Sequence, residues 1–242
     1  MALVSEGAIR ADAEPHVALL NGFALSSAGR PINVCLGAQR LLAYLALHER
    51  PSLRLCVAGV LWVDASEERS RANLRSALWR LRRIGPTLVE VTATHISLGW
   101  GVTVDVRTSI AAARRILAKN DGTLIESDAA TLSGELLPDW YDDWVVFERE
   151  RLRELRLHAL EALAARWVEE RRYAEAVEAA LAAVHAEPLR ETAQRVLLQA
   201  YIAEGNRARA IRHFANYKVL LAQELGIEPA RATAALLEPD TR

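Results

Sequence analysis

The spacing of apolar residues divides the chain into a mixed first part and a helical second part. In the first part, HVALLNGFAL and PINVCL are rich in β-forming residues on either side of SSAGRP, which predicts a hairpin or a pair of strands. From Val106 onward, apolar residues return every three to four positions, as on one side of a helix. The pattern predicts a mainly α fold with a small β component.

Three helices are predicted among the strands of the first part. LGAQRLLAYLALHE places its leucines on helical spacing and stops before Pro51. Residues 54–62 suffice for a short second helix, and in the VDASEE that follows, Asp64 or Ser66 can cap a third. LVEVT and HISLG then alternate around a tight turn, and VTVDV adds a further strand. Three helices and a hairpin in this order predict a winged helix-turn-helix.

Several buried positions are expected in these elements. The apolar side chains predicted to form the core of the three helices are Leu41, Leu42, Leu45, Ala46, Val57, Val60, Leu61, Leu74, Ala77, Leu78 and Leu81. Cys35 and Cys56 lie in apolar neighbourhoods without CxxC spacing, so we expect buried, reduced thiols. Trp140, Trp144 and Phe147 are expected to share a helical side and to anchor a long helix to the second domain.

The third helix carries an unusual charge pattern. ERSRANLRSALWRLRR, residues 68–83, has six arginines from Arg69 to Arg83 and no acid in that span, although the net charge of the chain is -1. Exposed helix faces normally mix acids and bases, because like charges one turn apart repel. DNA phosphates would supply the missing counter-charge, and the arginine fork suits both phosphate and guanine. The pattern favours a DNA-binding helix over a merely solvated surface.

The candidate DNA contacts follow from position on this helix and around it. Asn73 and Ser76 are short and could read base edges, while Arg69, Arg80 and Arg83 could reach bases or backbone. The flanking contacts are expected from Arg71 and Arg75 on the same helix, and from Arg54 at the start of the preceding helix. His95 lies at the predicted wing tip, where it is either a minor-groove cation or an ordinary turn residue.

The second part contains an internal repeat. ARWVEERRYAEAVEAA aligns with QAYIAEGNRARAIRHF at a shift of 34 residues, which is the period of the tetratricopeptide helical hairpin. The matched pairs are Trp167 with Tyr201, Glu170 with Glu204, Ala176 with Ala210, and Val177 with Ile211. An aromatic residue on one helix would pack on a small residue where the next helix approaches closely. We therefore expect an all-α tetratricopeptide-like domain.

No pattern in the chain supports catalysis or membrane insertion. The six histidines form no HExxH or other metal-binding spacing, and GxSxG, GxGxxG and phosphate-loop motifs do not occur. We expect no enzyme, no cofactor and no metal site, since a small hydrolase would need a nucleophile and a base that the sequence does not offer. Without a signal peptide or a long apolar run, the protein is expected in the cytoplasm, away from the membrane.

The segments already quoted resemble a known family. The stretch LGAQRLLAYLALHERPSLRLCVAGVLWVDASEERSRANLRSALWRLRR resembles the winged-helix domain of the Streptomyces antibiotic regulatory protein (SARP) family. LLPDWYDDWVVFERERLRELRLHALEAL, AEPLRETAQRVLLQAYIAEGNRARAI and ELGIEP look like the bacterial transcriptional activation domain that follows it. The domains expected on this basis are a flexible tail 1–15, a winged-helix domain 16–105 and an activation domain 106–242.

The resemblance implies partners that the residues alone do not. A SARP protein binds tandem direct repeats in double-stranded promoter DNA, often as side-by-side protomers, and recruits RNA polymerase. Larger relatives append nucleotide-binding or phosphopeptide-binding modules, and this chain is expected to lack them because it ends soon after ELGIEP, at Arg242. The wing departs from the family, since HISLGWGV stands where a Gly-Tyr-Arg-like stretch is common.

Two functions from different classes remain open at this point. The leading hypothesis is a sequence-specific transcriptional activator, acting at the bacterial nucleoid, in which helix 69–83 enters the major groove. The alternative is a tetratricopeptide-type adaptor that docks proteins and does not bind DNA. The modest overall charge and the unusual wing favour the adaptor, whereas the arginine helix favours the activator.

Overall fold

The structure of the chain is a computed structural model, and it describes residues 14–118, 129 and 131–238. Most of the predicted tail 1–15 lies outside this part, but Pro15 already belongs to the first strand. The described chain divides into two compact units. Among the described residues, the first comprises 14–109 and 133–152, and the second comprises 110–118, 129, 131–132 and 153–238.

The domain boundary after Asp105 stays a prediction. From the sequence, residues 133–152 are predicted in the second domain, whereas in the structure they form one compact unit with residues 14–109. A contact that brings this segment to the first unit is the bridge between the backbones of Leu20 and Leu136. The first unit therefore contains an aromatic segment that the sequence predicted to be part of the second domain.

A four-stranded sheet opens the first unit. Its strands are β1 (Pro15–Ala18), β2 (Ala24–Ser27), β3 (Arg30–Ile32) and β7 (Thr103–Val104). Their order is β3-β2-β1-β7, and only the β1–β7 pair is parallel. The predicted strand HVALLNGFAL is two strands, because Asn21 and Gly22 take φ angles of 63° and 130° and reverse the chain.

The helices and the second sheet of the first unit confirm the predicted winged helix-turn-helix. The helices are α1 (Leu36–Leu47), α2 (Arg54–Leu61) and α3 (Glu67–Ile84). The second sheet is antiparallel, in the order β4-β6-β5, with β4 (Ser52–Leu53), β5 (Val89–Val91) and β6 (His95–Leu98). The hairpin β5–β6 is the predicted wing. The strand from VTVDV is β7, which pairs with β1 in the first sheet.

The core of the three helices is close to the predicted one. Every predicted core residue is buried except Val60, which is exposed on α2. Arg107 stabilises the end of α1, because its guanidinium donates hydrogen bonds to the carbonyl oxygens of Leu45, Ala46 and His48. These contacts tie the end of α1 to the chain that follows β7.

The two cysteines and the aromatic segment correct the sequence-based expectations. Cys35 and Cys56 are both exposed. Trp140 stacks on Phe23 with ring centroids 6.1 Å apart, and Trp144 meets Tyr44 edge to face at 5.5 Å, so both tryptophans pack within the first unit. Phe147 is 75% exposed and anchors nothing in the described structure.

The described elements of the second unit are helices. The helices after β7 are α4 (Asp105–Leu117), α5 (Asp143–Glu169), α6 (Tyr173–Ala186), α7 (Glu191–Ala203), α8 (Arg207–Leu225) and α9 (Arg231–Ala235). The first residues of α4 and α5 belong to the first unit. The long helix predicted around residues 141–170 is α5, and the helix predicted at 109–120 is α4, with residues 119 and 120 outside the described part.

The repeat of 34 residues matches two helical hairpins. In the first, α5 and α6 are joined next to buried Trp167 and Ala176; in the second, α7 and α8 are joined next to buried Tyr201 and Ala210. The turns also match, because the amide of Arg172 donates to the carbonyl of Trp167 and that of Asn206 donates to the carbonyl of Tyr201, both at 2.8 Å. The fold is thus mainly α, as predicted.

The segment PLRE and the residues that follow ELGIEP make structural contacts in this unit. Arg190 of PLRE donates to Glu161 at 2.7 Å and to Glu154 at 2.9 Å, and both acids lie on α5. Glu191 accepts hydrogen bonds from the amide of Ala230 at 2.8 Å and from the hydroxyl of Thr233 at 2.6 Å. These contacts tie the start of α7 to α5 and to α9.

Candidate nucleic-acid interface

Local capping fixes where α3 begins and ends. Ser66, one of the two predicted caps, accepts a hydrogen bond from the amide of Arg69 at 3.4 Å, and Glu67 and Glu68 occupy the first turn. At the other end the amide of Gly85 donates to the carbonyl of Leu81, and Pro86 follows. The helix is therefore one turn longer in total than the predicted span 69–83.

The apolar stripe of α3 faces the core and leaves its arginines outside. The buried residues of the helix are Ser70, Leu74, Ala77, Leu78, Leu81 and Ile84. The six arginines, all exposed, are Arg69, Arg71, Arg75, Arg80, Arg82 and Arg83. Ser76 is exposed as well, and Asn73 is half-buried. One helix therefore presents six guanidinium groups on its solvent side.

One arginine has a counter-charge that the sequence argument overlooked. The guanidinium of Arg71 pairs with the carboxylate of Glu67 at 2.5 Å, one turn earlier on α3. The expectation that no acid offsets the arginines is wrong for this residue, because only the span 69–83 was considered. An exposed pair of this kind contributes about 0.3–0.5 kcal/mol, so a phosphate can replace the carboxylate at little cost.

One group of predicted contacts surrounds a depression between α2, α3 and the wing. Its lining contains Arg54, Arg71 and Arg75, together with Thr94 from the β5–β6 turn. Arg54 is held at the wing, since its guanidinium donates to the carbonyl of Thr92 at 3.3 Å and its amide donates to the carbonyl of Thr94 at 2.9 Å. Three cations thus converge on one shallow surface beside the wing.

A second group lies on the other side of α3. Asn73, Ser76 and Arg80 line a depression with Cys35 and Gly37 at the start of α1. Partial burial raises the pKa of the Cys35 thiol, but the hydrogen bond from Arg80 and that from the Ala38 amide lower it by more, so the pKa lies below its ordinary value. The predicted base-reading residues are therefore not beside the wing.

The remaining predicted contacts are separate from both groups. Arg69 borders a third depression with Arg40 and Asp64. Arg83 lies over the ring of Trp79, with its guanidinium carbon 4.9 Å from the ring centroid. His95 stays at the wing turn, where its Nδ1 is 2.9 Å from the hydroxyl of Thr94 and its amide donates to the hydroxyl of Thr92 at 2.9 Å.

Trp79 is a surface feature that the sequence argument missed. It is an aromatic residue on the solvent side of α3, and 58% of its surface is exposed. Position 79 follows Arg75 by four residues and Ser76 by three, so the indole lies one turn beyond them on the same side. The signal was available, because position 79 falls outside the apolar spacing 74, 77, 78 and 81.

The described part of the chain shows neither a metal-binding cluster nor a membrane-spanning helix. Among these residues no three His, Cys, Asp or Glu side chains are grouped so that they could hold a metal ion. The helices that the structure describes are too short or too polar to cross a bilayer. The concentration of arginines on α3 is therefore the chemical feature from which a function can be argued.

Comparison with known proteins gives one family and two similar regulators. Residues 106–238 match the family model described as bacterial transcriptional activator domain. The regulatory protein AfsR of Streptomyces griseus is 30% identical over 231 residues, and AfsR of Streptomyces coelicolor is 30% identical over 203 residues. These alignments cover 89% and 78% of this chain but 23% and 20% of the relatives. The chain therefore spans less than a quarter of the length of each.

A solved structure shares the fold. Mycobacterium tuberculosis EmbR, determined in complex with a low affinity phosphopeptide, superposes with a TM-score of 0.75 at 20% identity. The match covers 93% of this chain and 64% of EmbR. At this identity the likeness shows the fold alone, which is a small β-containing region with a winged helix followed by a helical region.

Proposed function

This chain belongs to the bacterial transcriptional activator domain family, as a regulator of the SARP type, and from that premise we propose that it binds duplex promoter DNA through α3. The observation that supports the proposal is the set of six exposed arginines on one helix. Like charges at this spacing repel one another, and a polyanion relieves the repulsion by neutralising them. Arg54 beside the wing adds a seventh cation from α2.

The two groups of residues on α3 have different proposed roles. Arg54, Arg71 and Arg75 surround the depression at the wing and would hold backbone phosphates, which position the protein without reading sequence. Asn73, Ser76 and Arg80 carry hydrogen-bonding groups on the other side and would reach base edges. Three further contacts are proposed. Arg69 and Arg83 would contact bases or the backbone, and His95 would contact the minor groove.

RNA polymerase and a second protomer are further proposed partners. A regulator of this type would recruit RNA polymerase after binding, and a second protomer would occupy an adjacent DNA repeat. Its place of action would then be the nucleoid, because the promoter lies there. In the wing, HISLGWGV replaces the stretch that is common in the family. The proposed DNA contacts at this place are therefore Arg54, beside the wing, and His95 at its turn.

The experiment is the salt dependence of binding to duplex DNA. Affinity is measured for the wild-type protein and for the double variant Arg75→Gln/Arg80→Gln over a series of salt concentrations. The double variant should bind more weakly, because Arg75 is proposed to hold a phosphate and Arg80 a base edge. Each phosphate contact releases about one counterion, so the loss of Arg75 should reduce the slope of log affinity against log salt by about one. The matched control is Arg212→Gln/Arg231→Gln, two exposed arginines of the second unit.

The control variant should bind DNA as the wild type does. Equal affinity and equal salt slopes for the wild type and the Arg75/Arg80 variant would contradict the proposal. Circular dichroism of each variant shows whether it remains folded. The substituted arginines are exposed, and substitutions at such positions usually change stability by less than about 0.5 kcal/mol.

The adaptor remains the second candidate, and one observation favours it. α8 exposes apolar side chains along its length, namely Ile211, Val219 and Leu225, as a surface that docks other proteins would. Gel-shift assays against genomic fragments, run beside co-purification of RNA polymerase subunits, separate the two functions. Protein capture without DNA retention would favour the adaptor, whereas retention of specific fragments would favour the activator.

A further inference from the structure

Trp79 lies on the solvent side of α3 and is not part of the buried stripe of that helix. The ring belongs to an 18-residue helix whose buried stripe is complete without it, and more than half of its surface is exposed. Tryptophan stabilises a fold by burying a large apolar area, so an exposed one contributes little to stability. Its neighbours at one turn on α3 are Arg75 and Ser76 before it and Arg82 and Arg83 after it. The ring thus lies among residues proposed to contact DNA.

The contact with Arg83 gives this pair a defined geometry. The guanidinium carbon of Arg83 is 4.9 Å from the centroid of the Trp79 ring, within the range of a cation–π interaction. Packing on the ring restricts the rotamers of the long arginine side chain, and Arg83 as a whole remains exposed to solvent. An arginine held in this way loses less entropy when it forms two hydrogen bonds to a guanine or a phosphate.

The exposed part of the indole offers a second kind of contact. The edges of base pairs in the major groove are polar except for the C5-methyl group of thymine, which apolar side chains recognise. Resting on the proposal that α3 enters the major groove, we infer that Trp79 is a specificity-determining residue that contacts a thymine methyl group. The same ring positions Arg83 for the adjoining base or phosphate.

The test uses sequences that the protein itself selects. The wild-type chain is first used to select binding sites from a random duplex library, and each thymine of the selected site is then replaced by deoxyuridine, which lacks only the methyl group. At the thymine that contacts Trp79, replacement by deoxyuridine should lower the affinity of the wild-type protein about fourfold. This is the effect expected from the loss of one buried methyl group. Other thymines should show no comparable loss.

The affinity of the variant Trp79→Ala for the two duplexes tests the inference directly. It should bind the thymine duplex about tenfold more weakly, as expected for one lost base contact, and should no longer distinguish thymine from deoxyuridine at that position. Its salt slope should equal that of the wild type, since no charge is removed, whereas Arg83→Gln should reduce the slope. Trp79→Phe should recover part of the thymine preference because an apolar ring remains.

The matched control is Phe147→Ala. Phe147 is an aromatic residue on α5 that is 75% exposed and outside α3, and its removal should leave affinity and thymine preference unchanged. If Trp79→Ala selects the same sites with the same affinity as the wild type, the inference about Trp79 is overturned while the proposed function stands. If the wild-type protein selects no sequence from the library, the proposed function fails and this inference fails with it.

Discussion

At the scale of single residues, His213 links the stability of the second unit to pH. Its Nε2 is 2.6 Å from the side-chain oxygen of Gln194, to which it donates, and the side-chain Nε2 of Gln194 in turn donates to the carbonyl of Pro188 at 2.7 Å. Burial lowers the pKa of His213 below its ordinary value, and the nearby charge of Arg209 lowers it further. The folded protein therefore favours the neutral imidazole.

The sign of the resulting pH dependence follows from the lowered pKa. Below the ordinary pKa of about 6.5 the unfolded chain binds a proton at this position, while the folded chain does not until its own lower pKa is reached. Stability should therefore fall as the pH falls through that window, by at most about 1.4 kcal/mol per pH unit. Urea unfolding at about pH 7.5 and about pH 5.5 measures the loss.

The variant His213→Gln isolates this contribution. It should lose less stability between the two pH values than the wild type, whereas His185→Gln, at an exposed position on α6, should behave as the wild type does. The same pH dependence in the wild type and in His213→Gln would show that other groups cause it.

Residue-level predictions were wrong where tertiary neighbours decide exposure. The sequence predicts that Phe147 shares one helical side with Trp140 and Trp144. However, α5 begins only at Asp143, so Trp140 lies before the helix and the helical spacing does not apply to it. Cys56 precedes the buried pair Val57 and Ala58 and points away from the core. Composition of the neighbourhood cannot make this distinction, because burial depends on the direction of each side chain.

At the scale of elements, the helices could be predicted and the sheets only in part. α3 was recognisable from three independent signals, namely the Ser66 cap, the apolar spacing and Gly85-Pro86. β4, two residues long, and the parallel pairing of β7 with β1 were not predicted. Both depend on contacts between distant parts of the chain, which no local pattern of residues encodes.

The turns of the two helical hairpins give a prediction at this scale. Arg171 and Gly205 are separated by the repeat period, and both adopt left-handed backbone conformations with φ angles of 60° and 86°. A residue with a side chain is strained in this conformation by about 1–2 kcal/mol, while glycine is not. Arg171→Gly should therefore stabilise the protein by up to about 1 kcal/mol, after the greater entropy of an unfolded glycine is subtracted.

The measurement is the free energy of unfolding in urea, with two controls. Gly205→Ala should lose about as much as Arg171→Gly gains, since it introduces the same strain at the equivalent turn. Arg212→Gly, at an exposed position within α8, should be destabilising by about 1 kcal/mol because glycine weakens a helix interior. Loss of stability in Arg171→Gly would show that its side chain makes contacts that outweigh the backbone strain.

At the scale of the whole molecule, the sequence was most informative about helices. The charge pattern placed six arginines on the solvent side of α3, and the repeat of 34 residues corresponds to two helical hairpins, because both patterns depend on spacing within a helix. The sequence did not show that residues 133–152 pack with the first unit, since an aromatic segment carries no mark of the unit that it joins. The arrangement of exposed groups on α3, and Trp79 above all, required the structure.

The repeat gives the last prediction. Ala176 and Ala210 occupy the same position in the two hairpins, and both are fully buried where neighbouring helices approach closely. A leucine at either position must displace packed side chains, so Ala176→Leu and Ala210→Leu should each lower the free energy of unfolding by about 1–3 kcal/mol. Ala208→Leu, exposed two residues before Ala210, should change it by less than about 0.5 kcal/mol. If Ala210→Leu is as stable as Ala208→Leu, small residues are not required for the hairpins, and the repeat would reflect helix composition rather than packing.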